Sequence, residues 1–143
     1  MSEISRRRAA ALLPALLAAA SSAEAAEGLS SVVVNADEAK LRQREGVTTG
    51  RLFFEGMTHE KIRVELHETI LPPGKMPHAA HRHLREEVVI VKEGKLRVEL
   101  EGEEPKEVTA GGAVYVASNR MHGWTNSGAT TASYFVVEIG SDG

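Results

Sequence analysis

From Gly50 onward the apolar residues fall in short runs separated by turn residues: GRLFFEG, KIRVELHETIL, EEVVIVKEG, KLRVELEG, PKEVTAGG, AVYVAS, HGWTNSG and TTASYFVVEIG. Each run is rich in Val, Ile, Thr or aromatic residues, and Gly, Pro, Asn or Ser marks most boundaries, which is the pattern of strands and tight connections. KLRVELEG alternates Leu96, Val98 and Leu100 with Arg97 and Glu99. RVELHETIL alternates Val64, Leu66 and Ile70 with Arg63, Glu65 and His67. A period of two places one set toward a core and the other toward water; the apolar set is expected inside. His67, and His59 in the polar EGMTHEK turn, are then expected in solvent. No sustained 3.6-residue period follows Gly50. About eight strands at this spacing predict an all-β sandwich or small barrel, with jelly-roll topology.

The N-terminal part has a different texture. Arg6, Arg7 and Arg8 precede an apolar run from Ala9 to Ala20, and small residues lead to Ala23-Glu24-Ala25. That order is the signature of an export signal over residues 1–25, and SRRRA resembles a twin-arginine leader. The run is too short for a membrane span, which needs about 20 residues. A periplasmic or secreted location follows, with no membrane contact after cleavage. Residues 26–45 read as an extension. Val32 to Val34 form a short β-branched run that could supply an edge strand, and Asn35 or Asp37 caps EAKLRQRE for one or two helical turns. A single domain over 46–140 completes the chain.

Removing residues 1–25 takes three of the 17 Lys/Arg and two of the 20 Asp/Glu, leaving a net charge of −4. No basic stripe of the kind that nucleic acid requires is present. The absence of cysteine excludes disulfides, thiolate ligands and thiol nucleophiles.

Half of the six histidines lie in HAAHRHLREE, His78 to Glu87. His81 and His83, two apart, share a face if extended, and a turn in LRE would bring Glu87 beside them. Glu86 then points away, and Val89 and Val91 continue the inward face of Glu87 as an apolar pocket wall. His78 falls on the opposite face from His81 at strand spacing, as a flanking group or an alternative ligand.

The spacing H-x-H-x3-E-x6-G, present as His81, His83, Glu87 and Gly94, resembles the first motif of the cupins. The second motif of that family is met at Gly111, His122 and Asn126, with Ala117 in place of its proline and Asn119 in place of its glycine. Asn tolerates the left-handed backbone that glycine supplies. The resemblance implies a cupin-type double-stranded β-helix, a jelly-roll barrel. It implies one divalent metal held by His81, His83, Glu87 and His122, and a homodimer. Three imidazoles and a carboxylate suit Fe, Mn, Ni, Cu or Zn, and four protein donors leave positions open for water, O₂ or substrate. Trp124, two residues past His122, is expected to wall the pocket with Val89 and Val91, whereas Asn126 is expected to close a turn. Arg51, Arg63 and Lys75 are candidates to orient a carboxylate.

With no triad order, phosphate loop or nucleotide fingerprint, chemistry falls to the metal. The resemblance is to small cupins of the quercetin-dioxygenase-like group. It implies a metal-dependent oxidoreductase acting on a small organic substrate, with Glu87 as ligand and proton acceptor. An isomerase or lyase acting on a sugar or hydroxy acid, or a non-catalytic binding module for a small molecule or metal, uses the same fold.

Overall fold

The computed structural model describes residues 28–44 and 48–142. The leader expected over residues 1–25 lies outside the described residues. All regular structure among the described residues is β: β1 (Lys40–Arg44), β2 (Thr48–Met57), β3 (Arg63–Leu71), β4 (Glu86–Glu93), β5 (Lys95–Leu100), β6 (Lys106–Thr109), β7 (Ala113–Val116), β8 (His122–Asn126) and β9 (Ala132–Ile139). The eight runs seen in the sequence each become one strand, β2 to β9. No helix there is long and apolar enough to cross a membrane.

β1 replaces the helical turns expected in EAKLRQRE. Its residues pair antiparallel with β2, from Lys40 opposite Leu52 to Arg44 opposite Thr48, so a ready edge for pairing outweighs the local cap signal. The turn over residues 36–38 is all that remains of the cap. Val32 and Val33 form no strand and stay exposed.

The strands assemble into a six-stranded sheet, β1-β2-β3-β9-β4-β7, and a three-stranded sheet, β6-β5-β8. The order is antiparallel but not sequential, as a jelly roll requires. Between the sheets lies an apolar cluster built on Leu71, Val89, Val91, Leu96, Val98, Val116, Trp124 and Tyr134. Gly94, between β4 and β5, has φ +78°, and a Cβ there would sit 2.8 Å from the Cα of Ala132. Only glycine meets both conditions. Asn119 has φ 58°, the left-handed conformation its place in the second motif demands.

In β3 the expected inside and outside are exchanged. Glu65, Thr69 and Leu71 are buried and His67 is half-buried, whereas Val64, Leu66 and Ile70 keep partial exposure on the outer face. The alternation was legible but its direction was not, because the cations that make the inner carboxylates tolerable come from β1, from the head of β3 itself and from the loop before β4.

Asn126 is fully buried and closes the turn as its motif position suggests. Its Nδ2 donates to the carbonyls of Leu71 and Thr130, each at 2.8 Å, and its Oδ1 accepts from the Gly128 N–H at 2.9 Å. Three backbone groups would lose a partner together in Asn126→Ala. The expected loss is at least about 2 kcal/mol of unfolding free energy, read as a lower urea midpoint at unchanged slope.

Candidate metal centre

His81 and His122 meet through an isolated antiparallel β-bridge. The His81 N–H donates to the His122 carbonyl at 3.0 Å and the His122 N–H returns the bond at 2.9 Å. His83 follows in extended chain outside any strand, and its carbonyl accepts from the N–H of Asn119 at 2.7 Å. The segment is thus stitched to the β8 side by backbone bonds, and the bend at residues 84–85 delivers Glu87 on β4.

The ligand atoms of His81, His83 and His122 lie within 4.8 Å of one another. Glu87, 6 % exposed, joins them: its Oε1 is 3.1 Å from His83 Nε2 and its Oε2 is 3.4 Å from His122 Nε2. Two backbone carbonyls set the tautomers. His83 Nδ1 donates to the Arg85 carbonyl at 2.9 Å and His122 Nδ1 to the Arg120 carbonyl at 2.8 Å. Each ring then presents Nε2 toward Glu87, the orientation that outer hydrogen bonds give metal-binding imidazoles. His81 Nδ1, Glu87 Oε2 and His122 Nε2 are buried without a hydrogen-bond partner. Unsatisfied buried polar atoms are costly. A cation among these donors would satisfy them, so the residues fit a divalent ion.

The protonation states lean the same way. Burial alone would raise the Glu87 carboxyl, but the facing His122 and His83 imidazoles hold it below its ordinary range. Burial opposes charge on His122, yet Glu87 and the Arg120 carbonyl carry it above the usual imidazole value. Burial, then the neighbouring imidazoles, push His81 down.

Glu87 belongs to a larger arrangement. Glu55 pairs with Glu65, Glu65 with Glu138, and Glu138 with Glu87, so four glutamates stand in register across β2, β3, β9 and β4. Arg42 and Arg63 reach both Glu55 and Glu65. Arg85 bonds Glu138. Glu87 has only imidazoles. A second mixed group, Glu65, His67 and Glu138, also brings its ligand atoms within 4.8 Å. Its carboxylates already accept from guanidinium groups, so an ion there would have to displace Arg42, Arg63 or Arg85.

A cavity of about 50 Å³ opens on this inner face, lined by Arg42, His67, Glu87, Trp124, Tyr134 and Glu138 among others. Trp124 walls it as expected, stacked on His122 and donating from Nε1 to the Tyr134 hydroxyl at 2.9 Å. Val89 and Val91 instead lie in the solid core. His78 also lines the cavity and packs edge-on against His81, with ring centroids 4.2 Å apart. Glu86 turns outward and accepts from the Tyr115 hydroxyl. Arg63 is paired with Glu55 and Glu65, and Arg51, which lines the cavity, is paired with Glu68. His59 is exposed. His67 is not in solvent: its side chain is 16 % exposed and its Nδ1 lies 3.1 Å from Glu65 Oε1. His67, Glu65, Glu138 and Arg42 are the site residues the sequence did not single out. Their signal is the strict alternation Glu65, His67, Thr69, Leu71, read with the opposite sense.

Stability should report this site. The lowered Glu87 stabilises the metal-free protein above the ordinary carboxylate range, and this is lost as pH falls through its folded value. The raised His122 stabilises below the ordinary imidazole range, and this is lost as pH rises through its folded value. The Glu87–His122 contribution is therefore greatest between about pH 4.5 and 6.5. Metal binding requires the proton on His122 to leave. The rise in melting temperature caused by Zn²⁺ should grow from about pH 5.5 to about pH 8 and largely vanish in Glu87→Gln. A rise independent of pH would contradict this assignment.

Comparison with known proteins agrees with the geometry. Residues 67–138 match the Cupin domain family. No curated protein matches the chain. Among solved structures, an RmlC-like cupin from Shewanella frigidimarina superposes with a TM-score of 0.64 at 19% identity, covering 78% of this chain and 93% of that one. A predicted oxalate decarboxylase from Thermotoga maritima gives 0.65 at 21% identity, over 77% and 100%. KdgF from a Halomonas species gives 0.64 at 18% identity, over 79% and 97%. At these identities the structures attest the fold. The family match spans half of the chain, and with the fold it makes this protein a member of the cupin family.

Proposed function

We propose that the protein is a metal-dependent enzyme performing proton-transfer chemistry, as an isomerase or lyase, on a small oxygen-bearing molecule such as a hydroxy or keto acid. The observation that carries this is the cavity beside Glu87. Its lining is ionisable as well as aromatic, where the sequence suggested an apolar chamber. A small polar substrate suits that lining.

His81, His83, Glu87 and His122 would hold one divalent ion. Such an ion supplies Lewis-acid polarisation of a substrate oxygen. Trp124 and Tyr134 would exclude water from one wall, and Glu87 would anchor the charge of the site.

A second reading, a dioxygenase-like oxidoreductase, draws support from the donor set, because three imidazoles and one carboxylate suit Fe, Mn, Ni and Cu as well as Zn. The proposal extends to export by the 1–25 leader and to a homodimer. The outer face of β3 and β9 leaves Leu66, Ile70, Phe135 and Val137 partly exposed in one chain. A second copy would cover them, and a single-chain species in sedimentation would contradict this.

Turnover of small hydroxy and keto acids by protein loaded with redox-inert Zn²⁺, with oxygen removed, is the expected result. Activity only with a redox-active ion and only in the presence of O₂ would select the second reading. No turnover under either condition, with the ion bound, would leave a binding module.

A further inference from the structure

We propose that Glu101 is a positioning residue of the metal centre: from the surface, its carboxylate ties the segment that carries His81 and His83 to the segment that carries His122. This rests on the metal-dependent reading above and adds a residue outside the ligand set.

Three segments lie side by side at this end of the small sheet. Leu100, the last residue of β5, pairs with His122 on β8. β8 is the edge strand of that sheet, and His122 meets His81 along its other edge. Glu101 continues the row one residue further. Its N–H donates to the Met121 carbonyl at 2.9 Å, and its Oε2 accepts from the Met121 N–H at 3.2 Å. Both backbone polar groups of the residue before His122 are thus engaged by one glutamate. Arg120 adds a bond from the same segment, donating from Nη2 to the Glu101 carbonyl at 2.9 Å. The Arg120 carbonyl is also the acceptor that orients His122 Nδ1. From the third segment Arg82, between His81 and His83, donates from Nη2 to Glu101 Oε1 at 3.4 Å. The carboxylate therefore spends one oxygen on each ligand-bearing segment. The Met121 N–H first, and Arg82 after it, hold the carboxyl below its ordinary range.

Glu101, Arg82 and Arg120 are all exposed, and an ion pair in solvent contributes little to folding. What the arrangement supplies is position. Metal–ligand distances tolerate only about 0.2 Å, so a small shift of the 120–122 segment against the 81–83 segment spoils the donor geometry. Groups that orient ligands from outside typically contribute about 10–100-fold in metal affinity.

Zn²⁺ affinity by chelator competition and the visible spectrum of the Co²⁺-loaded protein are the readouts, with urea unfolding of the metal-free protein as control. Glu101→Ala should weaken Zn²⁺ binding about 10-fold and shift the Co²⁺ bands, while the urea midpoint stays near that of the wild type. Glu101→Gln keeps an oxygen for the Met121 N–H and should fall between the two. Arg82→Met should weaken binding alone yet add little in the Glu101→Ala background, because the pair acts through one contact. Glu107→Ala removes a surface glutamate paired with Lys95 and should bind Zn²⁺ as the wild type does. Wild-type affinity and spectrum in Glu101→Ala overturn the assignment. So does a weakened affinity with an unshifted Co²⁺ spectrum and a matching fall in metal-free stability, the mark of a residue that serves the fold alone. A wild type that takes up neither ion overturns the metal reading and the assignment with it.

Discussion

Three buried glutamates, Glu65, Glu138 and Glu87, in a cross-strand row that begins at the exposed Glu55 set the terms for the inside of this barrel. Opposed residues on one face of a sheet sit about 5 Å apart. Two like charges at that distance repel by about 3 kcal/mol at an effective dielectric of ~20. The two contacts among the buried members, Glu65 with Glu138 and Glu138 with Glu87, are together comparable with the lower end of an ordinary domain's stability, about 5–15 kcal/mol. The fold tolerates the row because cations are threaded along it. Arg42 and Arg63 serve Glu55 and Glu65, and Arg85 serves Glu138. Even with Arg85, Glu138 stays above the usual carboxylate range: burial raises it first, and Glu65 and Glu87 on either side add to the effect. Glu87 is the member with no arginine, and it is the one facing three imidazoles and an unsatisfied oxygen of its own. The compensation that arginines supply elsewhere along the row comes, at Glu87, from the imidazoles of His83 and His122, and a metal ion held there would add to it.

The backbone delivers these groups with little freedom. The His81–His122 bridge, the Asn119 N–H on the His83 carbonyl and the two imidazole-to-carbonyl bonds fix the histidines before any ion arrives. Asn126 holds the β8–β9 turn and the end of β3 together beneath them. A site preorganised in this way spends little of its binding energy on ordering.

The strands were legible in the sequence as a local signal, and the meeting of His81, His83 and Glu87 with His122 was legible in two spaced motifs. Eight apolar runs with turn punctuation became β2 to β9, and Asn119 took the backbone conformation its place in the motif required. The sense of β3 was not legible. Glu65 and His67 look like solvent residues until Arg42, 23 residues before Glu65, reaches that carboxylate. Val89 and Val91 share the inward parity of Glu87, but parity gives direction and not depth: they lie in the packed core, below the cavity. KLRQR became a strand because β2 offered it an edge, which no local propensity could reveal.

Anomalous diffraction from crystals of the zinc-loaded protein tests the central claim most directly. One strong peak bounded by His81, His83, Glu87 and His122, with none beside Arg42 and Arg85, is the predicted result. A peak among Glu65, His67 and Glu138, or no peak at Glu87, would contradict it.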